Sequence, residues 1–173
     1  MSAIRGYFKS YDNKQYYVKV YQSNESEPFT EVELAGDSPF VVSYDVSNTP
    51  FDFRKVHKIG ERIDNDDPQI KLGFGYDHPF VLNENDRKII LKDKESGRVL
   101  EVETNQEDVV VYSMNFKNDN IIYGGMEPRT RLAICFETQA PPIGYNEVFK
   151  EKSYLKAGQI YSKSTKYTFK LEE

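Results

Sequence analysis

The chain has no tryptophan, a single cysteine and no apolar run long enough to cross a bilayer, and its 28 acidic side chains outnumber 23 basic ones. Each absence excludes something. One cysteine cannot close an intrachain disulfide, and Cys135 sits within an apolar strand-like run. It therefore reads as a small buried residue in a reducing compartment rather than a reactive thiol. A net charge of -5, with lysines scattered among acids, gives neither the concentrated basic surface that nucleic acid requires nor a basic stripe for an anionic membrane. The start, Met1-Ser2-Ala3-Ile4-Arg5, carries no apolar signal core. A soluble, cytoplasmic protein with no nucleic-acid or membrane partner is expected. Apolar spacing of three and four never persists for a dozen residues, so no long helix is expected either.

What the chain does have is aromatic and β-branched residues in short runs: 13 Tyr and 11 Phe, with Val and Ile, separated by Asp, Asn, Gly and Ser. The pattern predicts strands over 4–9, 15–21, 29–34, 40–46, 80–83, 88–92, 98–104, 109–116, 131–139 and 163–171. Asp12-Asn13 and Glu95-Ser96-Gly97 supply turn chemistry between neighbouring runs. A chain of 173 residues built this way is expected to form one all-β domain, an antiparallel sandwich. The expected core is Val32, Leu34, Val41, Ile90, Leu100, Val102, Val110, Tyr112, Leu132, Ile134, Phe136, Tyr167 and Phe169.

Within 131–139 alternation sets Leu132, Ile134, Phe136 and Thr138 on one face, and Arg131, Ala133, Cys135, Glu137 and Gln139 on the other. A carboxylate in such a strand costs free energy unless it is solvated, paired or put to use. Glu137 is thus either a solvated residue beside Arg131 and Gln139 or a functional group. A second irregularity is the connection from Asn48 to Gly75, too long to be a simple turn and expected to be functional or to mark a boundary. Its acidic cluster Asp64-Asn65-Asp66-Asp67 lacks the glycine and terminal glutamate of a calcium loop. A solvated turn is the better reading, and neither a metal nor another cofactor is expected.

Several motifs in order resemble the aldose 1-epimerase (galactose mutarotase) family. They are Thr49-Pro50-Phe51-Asp52-Phe53-Arg54-Lys55, Lys58-Ile59-Gly60-Glu61-Arg62-Ile63-Asp64 and Gly75-Tyr76-Asp77-His78-Pro79-Phe80-Val81-Leu82. Ser96-Gly97-Arg98-Val99-Leu100-Glu101-Val102, Thr104-Asn105-Gln106, Val111-Tyr112-Ser113-Met114-Asn115-Phe116 and Cys135-Phe136-Glu137-Thr138-Gln139 continue the series. The resemblance runs from about residue 49 to residue 171. It implies a galactose mutarotase-like β-sandwich, truncated here, that interconverts or binds the anomers of a hexose. By motif, Glu137 would be the catalytic base, while Asp77 and Gln106 would bind the sugar.

The departures are equally specific. Members of the family are about twice as long, and the half without a counterpart here carries an arginine and two histidines of the site, including the general acid. This chain offers only His57 and His78. His78 directly follows Asp77 and so should point away from whatever Asp77 faces. Residues 1–47 do not resemble the family and read as strands of different origin, joined by fusion or chimerism to the 48–173 segment. Half a sandwich leaves apolar faces and edges to be covered, so self-association through sheet edges is a further expectation. The alternative to an epimerase-like enzyme is an inactive sugar-binding or structural scaffold.

Overall fold

Alternating apolar positions on antiparallel strands can bury only one face each, and the protein solves this with two sheets. The computed structural model describes residues 16–21, 40–82, 87–117, 127–143 and 149–172. Its strands are β1 (Tyr16–Tyr21), β2 (Phe40–Asp45), β3 (Asp77–Val81), β4 (Lys88–Lys92), β5 (Arg98–Thr104), β6 (Asp108–Tyr112), β7 (Cys135–Gln139) and β8 (Thr165–Leu171). One sheet has the order β2-β1-β3-β6-β7 and the other β4-β5-β8. Every pairing is antiparallel. The expected strands 4–9 and 29–34 lie outside the described residues, as do Val32 and Leu34. The side chain of Val41 does too.

The core lies between the sheets. Phe80 of β3, Val109 and Val111 of β6 and Phe136 of β7 face Ile89 of β4 and Val102 of β5. This corrects the face assigned to two strands. Ile90, Val110 and Tyr112 are only half-buried, because Ile89 and the pair Val109/Val111 take the inward positions. A run such as Val109-Val110-Val111 carries no alternation, so its inward face is set by register alone. Tyr167 and Phe169 do lie on the inner side of their sheet, opposite Val102 and Leu100, yet they are exposed.

The Asn48–Gly75 connection supplies several core side chains although much of it is exposed. Phe51, Phe53, Ile59, Ile63 and Ile70 from it join Tyr76 in the core, and Phe53 packs edge-on against Tyr76 at 5.4 Å between ring centres. The Tyr76 hydroxyl donates to the Pro50 carbonyl at 2.9 Å, closing the segment onto the start of β3. It also holds the two short helical pieces that the sequence did not announce, a 3-10 turn at Ile59–Glu61 and α1 (Pro68–Gly73). The acidic cluster has structural work: Asp67 caps α1 by accepting from the Gln69 N–H at 2.8 Å, Asp66 pairs with Lys71, and Asp64 pairs with Arg131 at 2.6 Å. A second short helix, α2 (Lys150–Ser153), precedes β8.

Two strands are shorter than expected for a common reason. β6 stops at Tyr112 because Ser113 and Asn115 turn their side chains back onto the chain before β3. The Ser113 hydroxyl accepts from the Tyr76 N–H at 3.0 Å, and Asn115 Nδ2 donates to the carbonyls of Gly73 at 2.6 Å and Tyr76 at 2.9 Å. Met114 between them adopts a left-handed backbone (φ 50°). β7 begins only at Cys135, since Arg131 is also left-handed (φ 64°) and its N–H donates to the Met114 carbonyl at 2.7 Å. Gly75 belongs to the same knot: with φ 141°, a Cβ there would lie 2.5 Å from Asn115 Oδ1. Asn115→Ala should therefore cost about 1–3 kcal/mol, because it removes the hydrogen bonds to the Gly73 and Tyr76 carbonyls, of which Tyr76 keeps the Ser113 N–H at 2.9 Å. Urea unfolding checks this, and a loss below about 0.5 kcal/mol would show that the knot is dispensable.

Candidate functional site

β3, β6 and β7 are neighbours, and their register decides which side chains meet. Asp77 lies opposite Tyr112, which lies opposite Cys135; one step along, Pro79, Val110 and Glu137 form the next row. Since residues two apart share a face, Asp77 and Glu137 emerge on the same side of the sheet, away from the core. They stand two strands and two residues apart, about 12 Å between Cα atoms for standard sheet spacings. Both residues are exposed.

The electrostatics agree with the register. Partial desolvation pushes the Asp77 carboxyl above the usual carboxylate range, and the negative charge of Glu137 raises it further. Desolvation and the charge of Glu137 likewise push up the thiol of Cys135, which is exposed beside Glu137 rather than buried as the sequence suggested. One consequence can be measured directly. In Glu137→Gln the Asp77 pKa should fall, because one of the two causes holding it up has been removed. A carboxyl NMR titration reads this, and an unmoved Asp77 would mean that the two groups do not share a field.

Gln106 is not brought to this pair. It sits in the β5–β6 turn, where its N–H donates to Thr104 Oγ1 at 3.1 Å and its side chain reaches the Tyr161 hydroxyl at 3.5 Å. That turn precedes Asp108, whereas Asp77 lies opposite Tyr112 at the other end of β6. The position between Pro79 and Glu137 is held by Val110.

The two histidines also lie elsewhere. His78 is buried on the core side, its Nδ1 accepting from the Asp77 N–H at 3.0 Å and its ring 4.7 Å from that of Phe51. Burial pushes its pKa down to about 4, only partly offset by its hydrogen bond to the Gln69 backbone, so it is a neutral core residue at neutral pH. His57 lies in the Asn48–Gly75 connection, with Nε2 3.0 Å from an Arg62 guanidinium nitrogen and Nδ1 3.5 Å from the Glu61 carboxylate.

One group on the carboxylate face has no counterpart among the residues singled out from the sequence. Asp108 opens β6 opposite Gln139 and Val81, two residues from Val110, and is 1% exposed. Its Oδ2 has no hydrogen-bond partner among the described residues. Burial drives its pKa up to about 8, with the neighbouring Glu107 raising it further and Lys152 and Arg87 opposing the rise. An acid at the head of the Val109-Val110-Val111 run poses the same question as Glu137 does in its own strand, and that signal could have singled it out.

The described strands thus form an antiparallel two-sheet sandwich with two carboxylates on one outer face. The aldose 1-epimerase family model matches residues 15–168. The chain belongs to that family. It is 31% identical over 153 residues to the galactose mutarotase of Mus musculus, an overlap of 80% of this chain but 43% of that protein. Against the aldose 1-epimerase of Streptococcus thermophilus it is 29% identical over 135 residues, covering 72% of this chain and 37% of the relative. The galactose 1-epimerase structure from Lactobacillus acidophilus NCFM superposes with a TM-score of 0.67 at 26% identity, covering 99% of this chain and 45% of that one. The chain thus spans less than half the length of these relatives.

The family match also corrects the expectation for the N-terminus. It starts at residue 15, inside the stretch set apart as foreign, and β1 pairs with both β2 and β3 in the carboxylate-bearing sheet. Separate origin for residues 1–47 is not supported.

Proposed function

We propose that this protein engages a free hexose on the face shared by Asp77 and Glu137, with Asp77 accepting hydrogen bonds from ring hydroxyls and Glu137 acting as the base for anomer interconversion. The observation that carries the reading is the placement of both carboxylates on one face of three paired strands, close enough for the charge of Glu137 to act on Asp77. Mutarotation needs a base at the anomeric hydroxyl and an acid at the ring oxygen, and an exposed glutamate suits the first role. Family membership supports the substrate class. By the resemblance, Gln106 would be a third sugar contact, although its position in the β5–β6 turn argues for a structural role beside Tyr161.

A second reading is favoured by the histidines. Neither His57 nor His78 is placed beside the carboxylate pair, so on this reading the face holds sugar without a histidine acid. Polarimetry of fresh α-D-galactose and α-D-glucose separates the readings. A rate above buffer supports the epimerase; sugar-dependent NMR shifts at Asp77 and Glu137 without a rate support the binding module. Silence in both would end the proposal. Among the described residues no helix is long and apolar enough to cross a membrane.

A further inference from the structure

The inner face of the three-stranded sheet changes character from one edge to the other. At β4 and β5 it is interior: Ile89 and Val102 are fully buried, and Leu91 and Leu100 pack on the core. The next strand continues the same face, with Tyr167 opposite Val102, Phe169 opposite Leu100 and Leu171 opposite Arg98. Here the cover ends. Phe169 is 79% exposed and Leu171 77% exposed. The five-stranded sheet reaches only as far as Tyr167, whose hydroxyl donates to the Phe136 carbonyl of β7 at 3.0 Å. The segment leading into β8 adds Ile160 and Tyr161, which are also largely exposed.

This is not an outer sheet face carrying stray apolar residues. The outer face of the same strands is mainly charged beside Ile90 and Val99, with Glu101 held between Lys88 at 3.0 Å and Lys170 at 2.7 Å. β8 thus has a finished polar side and an unfinished apolar one. Phe169 and Leu171 extend the buried face of a sandwich past the edge of the layer that covers it, and a contiguous patch of this kind marks a contact surface. The Lactobacillus acidophilus structure aligns with nearly all of this chain while more than half of its own length has no counterpart here. That relative therefore carries polypeptide, absent from residues 1–173, that is available to cover such a face.

We infer that the face formed by Tyr167, Phe169 and Leu171 is the docking surface for the complementary half of an aldose 1-epimerase-type sandwich, polypeptide outside residues 1–173 whose apolar strand faces complete the second layer. Burying a Phe and a Leu that are now in water supplies the drive. Specificity comes from the abrupt boundary between the apolar inner face and the lysine-rich outer one.

The probe is the part of the Streptococcus thermophilus aldose 1-epimerase that lies outside its match to this chain. It is co-expressed with the tagged 173-residue protein. A one-to-one complex by light scattering is expected, together with a rise in soluble probe relative to expression alone. Phe169→Lys and Leu171→Lys should each weaken the complex at least tenfold while leaving the urea midpoint of the isolated chain unchanged, since both side chains are already in solvent. Lys166→Ala on the outer face of β8 should leave it intact. Three results would overturn the inference: no complex and no gain in soluble probe, a complex indifferent to Phe169→Lys and Leu171→Lys, or a homodimer of the chain that those substitutions dissociate. The readout is mass and solubility, so it stands apart from whether the carboxylate face handles sugar.

Discussion

Asp108→Asn should stabilise the protein by about 2–4 kcal/mol near pH 8.5 and by almost nothing near pH 4. The carboxyl is buried, one of its oxygens has no partner among the described residues, and its pKa stands at about 8 in the fold. In the unfolded chain it returns to the ordinary aspartate value of about 4. The sign follows directly. A carboxyl with a raised folded pKa binds its proton more tightly when folded. Its unfavourable contribution is therefore absent below about pH 4, grows through the window from about 4 to about 8, and is complete above it. A tenfold difference in proton affinity between the folded and unfolded chain corresponds to about 1.4 kcal/mol, so the ceiling is roughly 5 kcal/mol, reduced by relaxation and water entry. Asparagine keeps the shape and removes the charge.

His78 opposes this trend over part of the range. Its folded pKa of about 4 lies below the usual value, so its contribution is lost as pH falls through the window from about 6.5 to about 4. The wild-type profile is the sum of both, and the difference between wild type and Asp108→Asn isolates the aspartate. Urea midpoints across this range provide the measurement. Parallel profiles for the two proteins would mean that Asp108 stays ionised and paired in the fold.

The second large effect concerns chemistry. If the chain turns hexoses over, Glu137→Gln should lower the mutarotation rate by about 10²-fold or more, the scale for removing a positioned base. The substitution keeps the length of the side chain and its capacity to accept a hydrogen bond, so sugar binding should change far less than the rate. Stability should move by less than about 0.5 kcal/mol, since Glu137 is exposed and its carboxylate has no folded-state burial to relieve. Asp77→Asn should show the reverse emphasis, weakening sugar binding more than the rate of the bound state. A Glu137→Gln protein that retains the wild-type rate would remove the glutamate from the mechanism and leave the face as a binding surface.

The sequence alone determined the all-β class and most strand positions, with 88–92 and 98–104 matching β4 and β5. It also set Glu137 on the face of Cys135 and Gln139, against Phe136 and Thr138, because period-two alternation in 135–139 is complete within the strand itself. Motif order pointed to the family through the same residues that now form the core: Phe51, Phe53, Tyr76 and Phe80.

Other features required the tertiary structure. Alternation says which residues share a face but not which face is inward, so the choice of Ile89 over Ile90 and of Val109 and Val111 over Val110 waited on the opposing sheet. Asp77 and Glu137 are 60 residues apart in sequence, and only the register through β6 puts them on one face of the sheet. Gln106 is nearer to Glu137 along the chain than Asp77 is, yet the β5–β6 turn carries it away to Tyr161. The burial of Asp108 and the exposure of Phe169 follow from where the covering layers begin and end, which no local pattern of residues encodes.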